Sequence, residues 1–338
     1  MKNIILTLLF ISIAAMAAAQ DAQFSQYYQA PMYLNPGLAG ITPGHRVVIN
    51  HRLQWPNLPQ AFSTYAASYD VSLEKIRSGV GVLFTNNKVG SAGWESTNVS
   101  LLYSYKVRLT EEIVFSPGIS FGYGTNGLDR SKLVMGDALE YGGNSLDPKL
   151  IDVRDQHYMD FGSGFVLYAK RVWFGASFAH LNRPNLSVLG ETSRLDMKTS
   201  IHGGIRMDLS SNLRAGRPVY LTPSFIYRMQ GSSFSQLDLG VNFHVDPISV
   251  GVSYRGKPFS KSVAQSVEQD AAILFLGLYL KNLTIGYSYD FTISKLGTAT
   301  GGSHEASLTY EFKRKKTKPS KNKLIPCPAF YSKKSFGD

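Results

Sequence analysis

The stretch Leu283-Thr-Ile-Gly-Tyr-Ser-Tyr-Asp-Phe291 alternates between apolar residues and polar or small ones. Successive side chains of a β-strand point to opposite faces, so this pattern predicts a strand with one apolar face. The apolar face comprises Leu283, Ile285, Tyr287, Tyr289 and Phe291. In a soluble sandwich such a face packs against the core, whereas in a membrane barrel it faces lipid and the polar face lines the lumen.

Residues 1–19 have the features of a secretory signal peptide. Lys2 precedes an apolar run that ends in the small residues Ala17, Ala18 and Ala19, and we expect cleavage before Gln20 or Asp21. Beyond this segment no stretch approaches the roughly 18 uninterrupted apolar residues of a membrane helix. An exported chain of this kind is either soluble or an outer-membrane barrel.

Composition favours the barrel. The 31 Gly, 19 Tyr and 19 Phe residues suit curved strands and aromatic girdles. Most of the net charge of +11 lies in a basic tail over 314–338 and its neighbour Lys313, not on one face of a domain, which argues against a nucleic-acid partner. The single cysteine, Cys327, excludes an intramolecular disulfide and a Cys-rich metal site.

Fourteen strand-like segments follow one another between residues 45 and 313. We place them near 46–55, 61–71, 79–87, 95–109, 112–125, 157–169, 172–181, 197–209, 218–230, 233–245, 248–256, 270–281, 282–293 and 303–313. An even count returns both ends of a barrel to one side of the membrane. The predicted fold class is therefore all-β, a transmembrane antiparallel up-and-down β-barrel of about 14 strands over 45–313.

The connections differ in length between the two ends of this barrel. Short turns near 170–171, 246–247 and 281–282 follow even-numbered strands, and long connections near 126–156, 182–196 and 257–269 follow odd-numbered strands. Outer-membrane barrels have short periplasmic turns and long outer loops. The pattern predicts an outer-membrane protein in contact with lipid, with its N- and C-termini in the periplasm.

Two segments flank the barrel. Residues 20–44 contain three prolines and four aromatic residues, so we expect them to be ordered at the barrel mouth or in the lumen. The basic half of 314–338 cannot bury enough apolar surface to fold alone. The tail is either a disordered solubilising segment or a contact for anionic lipid or an acidic partner, and Cys327 and Phe330 are candidates for docking.

The opening Phe24-Ser-Gln-Tyr-Tyr28, with Pro31-Met-Tyr-Leu-Asn-Pro-Gly-Leu-Ala-Gly40, resembles that of the PorP/SprF proteins of type IX secretion. Further similar motifs are Arg52–Trp55, His180–Pro184, Gly286–Asp290 and Gly302–Glu305. The motif positions are Phe24, Gln26, Tyr27, Asn35, Pro36, Arg52, Gln54, Trp55, His180, Asn182, Arg183, Pro184, Ser303, His304 and Glu305.

The resemblance implies an accessory outer-membrane barrel of the type IX system, linked to secretion and gliding motility. Such a protein supports the export or surface attachment of secreted proteins such as adhesins by protein–protein recognition. Its implied partners are the secreted client protein and other components of the system, including a periplasmic lipoprotein linked to peptidoglycan.

Several polar side chains are predicted to face the lumen. They are Arg206, Asp238, Arg255, Asp290, His202 and His244. Charges of both signs in a narrow barrel are expected to pair, to rigidify it and to seal it. The alternative is a selectivity lining for a solute.

Two further motifs have local interpretations at the outer rim. The stretch His180–Pro184 is either a strand terminator or part of an outer docking surface. Arg52 and Gln54 are expected to face inward and Trp55 outward, in the outer aromatic belt.

The sequence indicates no enzyme, no cofactor and no metal site. The seven histidines are scattered, and the chain contains no His-Glu-x-x-His pair, nucleophile elbow, P-loop or calcium loop. The alternative function is a porin-like or fatty-acid-channel-like transport barrel, because 14 strands enclose more space than eight. In that case residues 20–44 would serve as a gate or plug.

Overall fold

A computed structural model describes residues 21–58, 61–90, 93–129, 154–188, 192–210, 217–232, 234–261, 267–293, 298–312, 325 and 327–330. Within these ranges no helix is long and apolar enough to cross a membrane. The strands are β1 His45–Gln54, β2 Phe62–Leu73, β3 Ser78–Val89, β4 Trp94–Tyr105, β5 Val107–Arg108, β6 Val114–Leu128, β7 Gln156–Tyr168, β8 Val172–Ala179, β9 Lys198–Ile205, β10 Met207–Asp208, β11 Val219–Gln230, β12 Phe234–Val245, β13 Ile248–Lys261, β14 Val267–Leu280, β15 Leu283–Thr292 and β16 Ser303–Glu311.

The strands form a closed antiparallel barrel. Each long strand pairs with the next one along the chain, and β1 closes the sheet against β16. The two short strands β5 and β10 add two residues each beside β6 and β11, so the barrel itself has 14 strands. The predicted fold class and strand count are confirmed.

The barrel has the inside-out polarity of a membrane protein. Apolar side chains point outward near the middle of the strands, as Leu101 does on β4, where 57% of its surface is exposed. Inward positions hold buried polar residues instead. On β15, Tyr287 and Phe291 are exposed, whereas Ser288 and Asp290 are buried. In the stretch Leu283–Phe291, the apolar side chains therefore face the lipid and the polar side chains face the lumen.

The two ends of the barrel differ as predicted. The turn end is the end at which β1 begins and β16 ends, and it carries the short connections 169–171, 246–247 and 281–282. The loop end carries the longer connections, including 129–155 and 180–197. Residues 130–153, in the longest predicted loop, lie outside the described residues.

One predicted boundary is wrong. The loop expected near 257–269 is largely strand, because β13 continues to Lys261 and β14 begins at Val267. The pairing continues across two register irregularities, between Arg255 and Gly256 and between Lys257 and Lys261. A bulge of this kind breaks the alternation while the ladder goes on, so the sequence pattern ends before the strand does.

The hydrophobic core lies inside the barrel. Its centre consists of residues from the segment before β1, among them Phe24, Leu34 and Leu38, together with inward-facing Val166 and Ile226. Short helical turns at Tyr27–Gln29, Pro31–Leu34 and Pro36–Leu38 give this segment its shape. We call residues 21–44 the lumen segment.

Candidate functional site

The lumen segment crosses the barrel from the loop end to the turn end. Its first described residue, Asp21, contacts His180 and Lys198, which lie at the loop end. Near its other end, the amide of Gly40 donates to Asp70 Oδ2 at 2.8 Å, at the turn end. The described chain thus begins at the end opposite to the start of β1, and the periplasmic position of the N-terminus stays a prediction.

Six buried charged side chains from six strands form what we call the central network. The members are Arg52, Arg228, Asp238, Arg255, Asp290 and Glu305. Arg255 Nη2 lies 3.1 Å from Asp238 Oδ2, and its Nη1 lies 3.0 Å from Asp290 Oδ2. Arg52 continues the chain of ion pairs, at 2.8 Å from Asp290 Oδ2 and 3.2 Å from Glu305 Oε2.

The network binds the lumen segment directly. Ser25 Oγ donates to Asp290 Oδ2 at 2.6 Å and accepts from Arg52 and Arg255. The amides of Ser25 and Gln26 donate to the two carboxylate oxygens of Glu305 at 2.7 and 2.9 Å. Buried charges are tolerated when partners satisfy them, so the network and the segment stabilise each other.

A second anchor is the Asn35-Pro36-Gly37 motif, which lies against β6, β7 and β8. Asn35 is fully buried, and its Nδ2 donates to the carbonyls of Phe165 and Ala176, both at 3.0 Å. At Gly118, a Cβ would lie only 2.4 Å from the carbonyl carbon of Pro36. Position 118 of the barrel wall must therefore be glycine, because any side chain there would collide with the lumen segment.

The C-terminal residues 325–330 pack at the turn end. Cys327 is buried in the same core as the lumen segment. The Arg46 guanidinium lies 5.1 Å from the ring centroid of Phe330, and Arg206 Nη1 donates to the Phe330 carbonyl at 3.3 Å. Tyr28 meets the Phe330 ring edge-on at 6.5 Å. Burial raises the pKa of the Cys327 thiol to about 12.

The six residues predicted to line the lumen do not form one cluster. Asp238, Arg255 and Asp290 belong to the central network, but Arg206 lies at the turn end, over the ring of Tyr220. The structure places the two histidines elsewhere. His202 Nε2 lies 3.1 Å from Asn35 Nδ2, and His244 lies beside Tyr220 and Tyr279.

Alternation explains both the success and the failure of this prediction. It fixes which side of the wall a residue faces, but it does not fix its height along a tilted barrel. Arg228 was not among the predicted residues, although its Nη1 lies 3.1 Å from Asp238 Oδ2. The available signal was its place on the polar face of β11, two residues after the position that pairs with Asp238.

His180 joins the lumen segment to the wall at the loop end. Its Nε2 lies 2.8 Å from Asp21 Oδ2, and its Nδ1 lies 3.0 Å from Asp160 Oδ1. Burial alone would lower the pKa of His180, but the two carboxylates outweigh burial and raise it to about 10. The imidazole is therefore a cation at neutral pH.

The rest of the His180–Pro184 motif shapes the end of the strands. Asn182 Oδ1 accepts from the amide of Phe161, and its Nδ2 donates to the carbonyl of Met159 at 2.7 Å. Arg183 forms an ion pair with Asp196, and the Pro184 carbonyl accepts from the amide of Leu195.

Other motif positions lie on both sides of the wall. Gln54 pairs with Ser303, and His304 Nδ1 lies outside the barrel, 2.8 Å from the Tyr287 hydroxyl. The expectation that Trp55 sits in the outer aromatic belt is wrong. Its φ of 56° turns the chain at the end of β1, its ring contacts that of Phe62, and both residues line a cavity inside the loop end.

Two cavities lie on opposite sides of the lumen segment. The loop-end cavity has a volume of about 560 Å³, and the turn-end cavity has about 100 Å³. Among the described residues, no group of three or more His, Cys, Asp or Glu side chains is placed to hold a metal ion.

An apolar outer surface, a closed antiparallel sheet and loops segregated by length define an outer-membrane β-barrel, and the predicted location in the outer membrane is confirmed. Residues 16–310 match the family described as type IX secretion system membrane protein PorP/SprF. The chain belongs to this family, as its motifs indicated. No curated protein matches the chain.

Solved structures with some similarity include two toluene transporters. TbuX of Ralstonia pickettii is 11% identical, with a TM-score of 0.45 over 84% of this chain and 94% of the transporter. TodX of P. putida is 10% identical, with a TM-score of 0.44 over 83% and 93%. Omp33 of Acinetobacter baumannii is 8% identical, with a TM-score of 0.42 over 81% and 100%.

Proposed function

We propose that this barrel supports the export or surface attachment of a secreted protein, such as an adhesin, by protein–protein recognition and without catalysing a reaction. One observation carries the proposal: the chain's own residues 21–44 occupy the lumen and are bound there by the central network. A barrel filled in this way offers its two ends as binding surfaces. Membership of the PorP/SprF family supports a role within the type IX system.

The turn end is the surface we assign to periplasmic partners, which include a lipoprotein linked to peptidoglycan. Seven Lys or Arg residues and no acidic residue stand between Phe312 and Ile325. Phe312 follows the last strand at the turn end, and Ile325 packs against the core there. Both ends of this basic stretch are therefore held at one face of the barrel, where it would attract an acidic surface. Its own residues lie outside the described ones.

Site-specific photo-crosslinking in native outer membranes tests the proposal. A crosslinker at Ile76, exposed at the turn end, should capture periplasmic components of the type IX system. One at Asn57, at the loop end, should capture a secreted protein. Val252, exposed on the outer face of β13, is the control and should capture no protein partner. Capture of unrelated proteins alone at both ends would contradict the proposal.

A transport barrel is the second candidate, favoured by the loop-end cavity of about 560 Å³. The two functions differ in conductance. With the lumen segment bound, we expect the intact protein to give no steady current in a planar bilayer. A stable current from the intact protein would favour the porin-like or fatty-acid-channel-like alternative.

A further inference from the structure

The loop-end cavity has the form of a ligand site. Its floor is the lumen segment, with Met32, Tyr33 and Leu34 turned toward it, and its walls are inward-facing side chains of the upper barrel. The volume of about 560 Å³ lies within the 300–1,000 Å³ that small-molecule sites usually have. Its polar walls include Asn87, Asn98 and Asn126, which lie outside the family-like motif positions.

Several buried oxygen atoms in this cavity lack a hydrogen-bond partner among the described residues. They belong to Gln23, Asn87, Asn126 and Asp290, and each of these residues lines the cavity. Asn126 is only 1% exposed. A buried polar atom left without a partner loses its hydration without compensation, so such atoms are usually satisfied. All four oxygens are acceptors, and one donor that lines the same cavity, Arg52 Nε, also has no partner among the described residues. A ligand with several hydroxyl groups, which donate and also accept, would satisfy the set.

Most charged side chains that line the cavity pair with one another, and Asp270 adds a single carboxylate to them. Arg52 and Arg255 pair with Asp290, while His180 and Lys198 pair with Asp21. The site therefore has no unmatched cluster of one sign to select a charged ligand. A neutral molecule fits this balance.

Aromatic side chains supply flat apolar surfaces beside these polar atoms. The aromatic residues that line the cavity include Trp55, Phe62, Trp94, Tyr158 and Phe178. A sugar ring combines hydroxyl donors at its edge with an apolar face of C–H groups that packs on an aromatic ring. A peptide backbone carries as many acceptors as donors and would leave part of the acceptor set unmet.

We infer that the loop-end cavity binds a neutral carbohydrate. Its hydroxyl groups would donate to the amide oxygens of Asn126 and Asn87, and its rings would pack on Trp94 and Trp55. This inference goes beyond the proposed docking function and does not rest on it.

A glycan array that carries neutral, sialylated and sulfated glycans provides the test, with the full chain labelled in detergent micelles. We expect binding to neutral glycans, followed up by saturation-transfer NMR with the strongest neutral glycan. Asn126→Leu and Asn87→Leu keep the side-chain size but remove the acceptor, and each should weaken binding at least tenfold. Asn242→Leu makes the same change at the turn-end cavity and should leave binding unchanged.

The slower migration of boiled samples in electrophoresis reports whether each variant is a folded barrel. If Asn126→Leu fails to fold, Asn87→Leu alone decides. Absence of neutral glycan binding by the folded protein would overturn the inference. Binding of only charged glycans, or of only unmodified decapeptides, would also overturn it. The same holds if the Asn126→Leu and Asn87→Leu variants bind neutral glycans as tightly as the wild type. None of these results changes the crosslinking pattern expected for the docking function.

Discussion

At the scale of single residues, the central network shows why buried charges can persist in a lumen. Asp238 lies between Arg228 and Arg255, and Asp290 lies between Arg255 and Arg52. Each of these carboxylates contacts two guanidinium groups, so no charge of either sign is left without a partner. Such an arrangement is a weak source of stability when whole but costly when one member is removed.

Arg52→Met should destabilise the barrel markedly. It leaves Glu305 without its ion-pair partner and takes one of two cations from Asp290. Loss of one partner of a buried pair costs about 3–5 kcal/mol. Urea unfolding in micelles, followed by tryptophan fluorescence, measures the change in the free energy of unfolding.

Lys88→Met is the matched control for that prediction. Lys88 forms an ion pair with Glu95 at 3.4 Å, but their side chains are 58% and 46% exposed. An exposed pair contributes under about 1 kcal/mol. Equal losses for Arg52→Met and Lys88→Met would show that the central network does not hold the fold.

The stabilisation that the ion pair between His180 and Asp21 provides should depend on pH. The pKa of His180 is raised from 6.5 to about 10, so its stabilising contribution is complete below pH 6.5 and is lost as the pH rises through about 10. His180→Asn removes the cation and tolerates the left-handed backbone at this position, where φ is 58°. The difference in unfolding free energy between wild type and variant should shrink from pH 6 to pH 10.5. A constant difference would contradict the assigned protonation.

At the scale of elements, period-two alternation is a local property, and it predicted the strands and their faces well. The prediction of β15 near 282–293 differs by one residue at each end from Leu283–Thr292. Alternation could not predict contacts between residues that are far apart in the sequence. The contact of Ser25 with Asp290 joins residues 265 positions apart, and it depends on the path of the lumen segment through a closed barrel. The turn at Trp55 depends on its left-handed φ, which the residue type does not indicate.

The C-terminal element allows a sharp test, because Cys327 is the only cysteine of the chain. Phe330→Ala removes the ring that packs under Arg46 and beside Tyr28. We expect the docked residues to open and Cys327 to react with a maleimide at least about tenfold faster than in the wild type. The wild-type thiol should react slowly, because it is buried and its pKa of about 12 leaves little thiolate. Mass spectrometry over a time course gives both rates.

Phe312→Ala is the control for the docked residues. Its ring is exposed on the outer surface and packs on Tyr310 and His45, away from Cys327. Its labelling rate should equal that of the wild type. Rapid labelling of the wild-type folded protein would show that Cys327 is open to solvent and would remove residues 325–330 from the turn end.

At the scale of the whole molecule, the two faces of the barrel wall lie in different environments. Lipid meets the outer face, while the inner face meets the lumen segment and the loop-end cavity. The adjacent residues Ser100 and Leu101 on β4 belong to these two environments. Ser100 lines the cavity, and Leu101 points outward with 57% of its surface exposed.

A lysine substitution should therefore impair insertion into the membrane at one of these positions and not at the other. Leu101→Lys places a charge near the middle of the lipid-facing band, which costs about 2–4 kcal/mol in outer-membrane barrels. Ser100→Lys places the same charge one residue away in a polar, water-accessible cavity, where a lysine head group stays hydrated. Refolding into vesicles, scored by the band shift between boiled and unboiled samples, should fall for Leu101→Lys and stay near wild type for Ser100→Lys. The reverse order would mean that the face of β4 assigned to the lumen faces lipid instead. The same would then hold for the strands that pair with β4.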